Sequence, residues 1–207
     1  MSSLLVLGAG GHGRVVADAA ISMREWDLIA FADDRSHASI KPLGLEIVGT
    51  MADFEAVAGR FDCIALGVGD NRTRLSLYER CVRRGYQVAA VVHASAVVSS
   101  HATIGAGTVI FAQAAVNVGA MLGSVCIVNT GATIDHDCRL GNAVHISPGA
   151  NLAGNVSVGH RAWIGIGACV RQGITIGEDV TVGAGSVVVK DVEPGVTVVG
   201  VPARVRL

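Results

Sequence analysis

Between Val92 and Val188 every sixth residue of this chain is a branched aliphatic, through Val98, Ile104, Ile110, Val116, Leu122 and onward without a miss. Four residues after each stands a mostly small side chain, among them Ala96, Ala102, Thr108, Ala114, Cys126, Ala132, Cys138, Ala162 and Ala168. A period of six matches neither the 3.6 of a helix nor the 2 of a flat strand. It is the signature of a parallel β-helix built from hexapeptide repeats. In a hexad whose aliphatic is residue i, residues i and i−2 point inward, i−1 and i+1 point outward, and i+2 and i+3 turn the corner. Three hexads, about 18 residues, close one coil, so the seventeen hexads predict between five and six coils.

The remaining composition narrows the partners. The 207 residues allow one or two small domains, and 51% hydrophobic residues with only 4% aromatic describe a core of small aliphatics. A formal net charge of −1 supplies no electrostatic reason to bind nucleic acid. The mean hydropathy of +0.52 raises the question of a membrane. Ala102 to Ile134 contains no charged side chain and is long enough to span a bilayer. Yet Gln113, Asn117, Asn129, Thr130 and repeated glycines interrupt it, which reads as solenoid strands and predicts no membrane association. The apolar run Leu4 to Leu7 stops at Gly8 with no basic segment before it, so no signal peptide is expected. Five cysteines, an odd number without a CxxC pair, suggest reduced thiols in a cytoplasmic protein.

Residues 1–90 alternate strand and helix signals. Leu4–Leu7 leads into a glycine turn, Gly8 to Gly13, and a helical stretch to about Arg24. Leu28–Ala32 and Cys63–Leu66 read as further strands, Thr73 to Arg84 as a helix, and Gln87–Val92 as a last strand. This alternation predicts an α/β domain with a short Rossmann-like parallel sheet over 1–90, ahead of the parallel β-helix that the hexads predict over 91–207. Ligands of such sheets bind at the carboxyl ends of the strands, where the glycine turn, Asp33-Asp34 and Gly67 to Asn71 lie. Gly8, Gly10 and Gly13 match G-x-G-x-x-G, and Asp33 follows at the spacing of a dinucleotide fingerprint. The domain is too short for a full dinucleotide fold, so a nucleotide or nucleotide sugar is the expected ligand rather than NAD. Backbone amides at a helix N-terminus would meet its phosphates, His12 would add a side-chain donor, and Asp33 and Asp34 would accept from ribose or base.

Most corners of the prism carry Gly, Ser, Asn or Asp. The corner after Ile134 differs, because His136 occupies i+2 and Asp137 i+3, where the core gains nothing from them. A histidine can act as a general base near neutral pH, and a carboxylate beside it can set its tautomer and raise its basicity. His145, at i−1 before Ile146, faces outward half a coil away, so it cannot share a site with His136 inside one prism. The two could meet if prisms pack side by side, and a closed three-fold arrangement would place active sites between subunits. His160 occupies another corner, but its spacing from the other two does not suggest a zinc site, and no metal is expected. Trp163 also faces outward and would cover a ligand or an interface, the interface being preferred. His93 and His101 read as solvated surface residues.

Taken together, the GAGGHG turn, Asp33-Asp34, the run Asn129 to Cys138 (NTGATIDHDC) and the tail Val199 to Ala203 (VGVPA) resemble the sialic-acid O-acetyltransferase/bacillosamine N-acetyltransferase family of sugar acyltransferases. The resemblance covers essentially the whole chain. It implies a small nucleotide-sugar-binding domain joined to a left-handed β-helix, a homotrimer, and acetyl-CoA as the acyl donor. It makes His136 the base and Asp137 its partner, although bacillosamine-type relatives carry Glu at the second position, and the shorter Asp must still reach the imidazole. It implies that His145 contacts acetyl-CoA, with Ile166 and Ala184 along the pantetheine arm. It further implies that Gly10, Gly11, His12, Asp33, Asp34, Gly67 and Asn71 contact the nucleotide sugar. The expected reaction is acetylation of the 4-amino group of a UDP- or GDP-linked amino-deoxysugar, in surface polysaccharide or glycan biosynthesis. O-acetylation of sialic acid or another capsular sugar, and a non-catalytic nucleotide-sugar-binding scaffold, are the alternatives.

Overall fold

The structure is a computed structural model that describes residues 2–34 and 41–206. The chain divides into two compact units, Met1–Ala94 and Ser95–Leu207.

In the first unit four strands, β1 (Ser3–Leu7), β2 (Leu28–Ala32), β3 (Ile47–Gly49) and β4 (Cys63–Leu66), form a parallel sheet in the order β3-β2-β1-β4. Among the described residues three α-helices accompany them, α1 (Gly11–Met23), α2 (Glu55–Ala58) and α3 (Asn71–Arg83), with a 3-10 turn at Pro42–Gly44. Every residue of β1 is buried, as expected for the continuous apolar run of a central parallel strand. Helix α1 buries Gly13, Val16, Ala17, Ala19 and Ala20, a stripe of small residues that lets it pack closely. The strand order reverses between β1 and β4, so their carboxyl ends frame a crevice at a topological switch point. Two short elements, β3 and α2, were not expected from the sequence. Three and four residues are too few for any periodicity to register, and β3 pairs with β2 through a register irregularity at Phe31/Ala32. The predicted strand Gln87–Val92 is shorter than its apolar run, forming a bridge at Val88 and a strand only at Val91–Val92.

In the second unit each hexad supplies one two-residue strand at i−1 and i, from Val97–Val98 to Val187–Val188. These strands stack eighteen residues apart into three parallel sheets, for example Ile127 on His145 and His145 on Trp163. The result is a left-handed parallel β-helix. The i and i−2 side chains fill its interior: Ala132, Ile134, Cys138, Val144, Ile146, Ala162 and Ile164 are all fully buried. From Gly107 to Gly185 every i+3 corner residue has a left-handed backbone. Half of these residues are not glycine, Asp137 (φ 60°) and Gln113 (φ 60°) among them. Thr197–Val199 extends one sheet, and Arg204–Val205 closes it with an antiparallel pair.

Candidate active site

The corner after Ile134 is tied to the coils on both sides. The Asp137 amide donates to Val118 O at 3.1 Å, and the Asn155 amide donates to His136 O at 2.8 Å. Successive strand side chains point to opposite faces, so two neighbours in sequence do not ordinarily meet. The left-handed turn at Asp137 removes that restriction, and its Oδ2 lies 2.9 Å from His136 Nδ1. The shorter carboxylate therefore reaches the imidazole. Both side chains are exposed, at 55% and 66%, which leaves the ring open to a reactant. Asp135 adds to the arrangement: its Oδ1 accepts from the His136 amide at 2.8 Å and from Asn117 Nδ2 at 2.8 Å. The hydrogen bond to Asp137, followed by the Asp135 charge, holds the His136 pKa above its ordinary value. With Nδ1 bonded to the carboxylate, Nε2 is the atom presented for proton transfer.

On a different face of the prism lies a groove of about 400 Å³ with mostly apolar walls. His145, Ile166 and Ala184, separate in sequence, all line it, because positions eighteen residues apart stack on one face. His145 points outward as its position requires, yet it is only 8% exposed. Trp163, one coil on, stacks over it with ring centroids 5.3 Å apart and planes at 5°. Trp163 is held in turn by its Nε1, which donates to Ser147 Oγ at 2.8 Å. Trp163 is thus a wall of the groove. Asn129 Nδ2 lies 3.3 Å from His145 Nε2, an arrangement in which the amide donates and the ring carries its proton on Nδ1.

The crevice of the first unit is built by close backbone approach. A Cβ on Gly13 would stand 1.9 Å from Gly8 O, and one on Gly67 would stand 2.6 Å from the same oxygen. Gly67 is thereby explained by packing at the β1–α1–β4 junction. Gly10 caps α1, which begins at Gly11, and no acidic residue occupies its first turn. Helix geometry leaves the first amides without intrahelical acceptors, so the end suits an anion. A Cβ on Gly11 would meet nothing within 4 Å, so the approach there is open. Asp33 is buried, and its Oδ2 accepts from the Ala9 amide at 2.7 Å, which builds it into the turn itself. Asp34 is exposed, with Oδ1 accepting from the amides of Met51 at 2.8 Å and Ala52 at 3.3 Å. Asn71 is buried, and its Oδ1 accepts from Arg74 at 2.8 Å. His12 lies in the first turn of α1, where burial, assisted by the Arg74 charge, lowers its pKa to about 4 and keeps it neutral.

Comparison with known proteins gives these sites a context. A family model described as the PglD N-terminal domain matches residues 3–81. Comparison with curated proteins returned no match. Among solved structures, the acetyltransferase domain of PglB from Neisseria gonorrhoeae FA1090 is 44% identical over 100% of both chains, with a TM-score of 0.94. The same domain has been described in complex with acetyl coenzyme A. PerB from Caulobacter crescentus, in complex with CoA and GDP-perosamine, is 38% identical over 100% of this chain and 98% of that one, with a TM-score of 0.93.

This chain belongs to the sugar N-acetyltransferase family. WeeI from Acinetobacter baumannii AYE, at 27% identity over 100% of both chains, extends the likeness with a TM-score of 0.88. As a member of this family the chain is an acyltransferase. The other described histidines stand apart from the sites above. His160 Nδ1 accepts from the Asn142 amide at 2.9 Å, a link between coils. His93 and His101 lie outside both the groove and the dyad corner. Among the described residues no group of three or more His, Cys, Asp or Glu gathers as metal ligands. No described helix is long and apolar enough to cross a membrane. Sequence reasoning missed Asn129 and Ser147, which orient His145 and Trp163. Both lie at i+1 beside the groove, and their position relative to the flagged His145 was the available signal. It also missed Arg74, buried in α3 with bonds to the carbonyls of Val68 at 3.2 Å and Gly69 at 2.8 Å. No periodic pattern announces a buried arginine.

Proposed function

We propose that the chain transfers the acetyl group of acetyl-CoA to the 4-amino group of a UDP- or GDP-linked amino-deoxysugar, with His136 as general base. The observation that carries this reading is the His136 Nδ1–Asp137 Oδ2 contact of 2.9 Å on an exposed corner. The neutral amine attacks the thioester carbonyl. Nε2 of His136 takes the amine proton as the tetrahedral intermediate forms, and Asp137 stabilises the imidazolium. Collapse breaks the C–S bond, and the proton passes to the departing thiolate. Cys138, next to the dyad in sequence, is fully buried with its Sγ donating to Ala153 O at 3.2 Å, so it offers no acyl acceptor, which favours direct transfer.

The groove lined by His145, Ile166 and Ala184 would take the acyl donor. Its apolar walls suit a pantetheine arm, while Asn129 and Trp163 hold the His145 ring beside it. The α1 N-terminus with Gly10, Gly11 and neutral His12 would take the nucleotide diphosphate. Asp33, Asp34, Gly67 and Asn71 would shape that crevice, Asp33 and Gly67 by holding its backbone. Because the dyad and the groove occupy different faces of one prism, the reading requires a homotrimer in which His136 of one subunit meets the groove of its neighbour. The complexes of PerB with CoA and GDP-perosamine and of PglB with acetyl coenzyme A support the substrate classes. A cytoplasmic location, where both substrates are made, belongs to the same reading.

A thiol-release assay with acetyl-CoA against UDP- and GDP-linked 4-amino sugars, with free sialic acid alongside, tests it. Turnover of one amino sugar is expected, and His136→Ala should lower kcat by roughly 10²–10⁴-fold with little change in sugar KM. Turnover of sialic acid alone would move the function to O-acetylation. Wild-type rates in His136→Ala would remove His136 from the chemistry.

A further inference from the structure

The imidazole of His136 rests against a residue that no motif singles out. On this edge of the prism the i+2 corner positions of successive coils are Val118, His136, Gly154 and Gln172. Three of the four carry side chains, so the turn itself does not demand glycine there. Gly154 lacks the left-handed backbone that would call for glycine on conformational grounds. What distinguishes it is its neighbour. A Cβ on Gly154 would stand 2.4 Å from His136 Nε2, 2.6 Å from Cε1 and 3.1 Å from Cδ2. Ordinary contacts begin near 3.4 Å. The coils cannot part to make room, since Asp137 is bonded to Val118 and Asn155 to His136 through the backbone. The partner carboxylate is seated in the same manner. A Cβ on Gly119, in the preceding coil, would stand 2.5 Å from Asp137 Oδ1.

We propose that Gly154 and Gly119 are positioning residues for the His136–Asp137 dyad, together forming the slot that sets the ring against its carboxylate. A methyl group at 154 would either push the ring off Asp137 or cover Nε2, where the acceptor's proton arrives. This assignment rests on the general-base reading above for its catalytic consequence, but the contact itself can be tested without it. Gly154 is the better probe, because Gly119 has φ 73° and any side chain there is strained regardless of Asp137.

The test compares Gly154→Ala in the wild-type and His136→Ala backgrounds. In the first, kcat should fall roughly 10²-fold, as for a misplaced catalytic group, with KM for both substrates little changed. The NMR titration of the His136 ring should move down toward the ordinary histidine value, because the Asp137 bond that raises it is lost. The charged groups facing the ring are Asp135 and Asp137 on its own corner, and the stacked corners supply Val118, Gly119, Gly154 and Asn155, none of them charged. Any loss of Tm caused by Gly154→Ala should vanish in the His136→Ala background, where the ring it would strike is absent. This comparison reads the contact even if the single variant is poorly folded. Full activity in His136→Ala alone would sink the general-base reading and leave the slot standing. An unchanged titration with wild-type kcat, or an equal loss of Tm in both backgrounds, would overturn the slot.

Discussion

At the scale of single residues, the proposed chemistry depends on one backbone angle. Asp137 follows His136 directly, and in an extended strand the two would diverge. The left-handed φ of 60° at Asp137 brings its carboxylate round to Nδ1. The resulting bond raises the His136 pKa, and a general base works only when unprotonated, so the rising limb of the kcat/KM–pH profile should lie above the ordinary histidine value. Asp137→Asn removes the largest cause of the shift. That limb should then move to lower pH while the maximal rate falls, and a profile that stays in place would contradict the assignment. His12 behaves in the opposite sense. Its folded pKa is about 4 while the unfolded chain takes up a proton near 6.5. The unfolded state therefore binds more protons between these values, and stability falls as pH drops through that window. The loss should reach about 3 kcal/mol below pH 4. In His12→Asn, which is neutral throughout, thermal unfolding between pH 7 and 4.5 should show a smaller decline in Tm than in the wild type.

At the scale of elements, the solenoid was legible almost strand by strand. Each aliphatic from Val98 to Val188 ends a two-residue strand, because inward and outward positions recur identically in every hexad. The corners were less legible. From Gly107 to Gly185 position i+3 is left-handed, yet half of its occupants are ordinary residues held there by coil-to-coil hydrogen bonds. A left-handed backbone costs a residue with a Cβ about 1–2 kcal/mol, and the unfolded freedom of glycine returns part of that difference. Gln113 is exposed, and its amide donates to Ser95 Oγ at 3.2 Å, a bond that glycine would keep. Gln113→Gly should therefore stabilise by about 0.5–1 kcal/mol, read as a rise in Tm of a few degrees. In the first unit the long strands β1, β2 and β4 and the helices α1 and α3 carried enough pattern to be foreseen. Helix α3 begins two residues early because Asp70 caps it, its Oδ1 accepting from the Thr73 amide at 2.8 Å.

At the scale of the whole molecule, the dyad and the groove lie on different faces, so a complete active site needs more than one chain under the proposed function. Co-refolding His136→Ala chains with His145→Ala chains should restore part of the activity that each lacks alone. In a mixed trimer some sites would join an intact His136 to an intact His145 from the neighbouring chain. No recovery, with mixed trimers confirmed by mass spectrometry, would argue that each chain completes its own site.

The sequence by itself determined the architecture, because hexad periodicity and a βαβ alternation are local patterns whose spacing translates directly into geometry. It also pointed to the His136 corner, since a histidine and a carboxylate at an exposed turn serve no packing purpose. Contacts between residues distant in the chain were decided by tertiary structure alone. Asp33 reads as a ligand contact from its spacing, and folding adds that its Oδ2 accepts from the Ala9 amide, which no spacing announces. Likewise, His145 becomes buried only when Trp163 stacks upon it a full coil later. A one-dimensional pattern records which face a residue occupies. What covers that face depends on the next coil, and only the folded chain brings that coil into place.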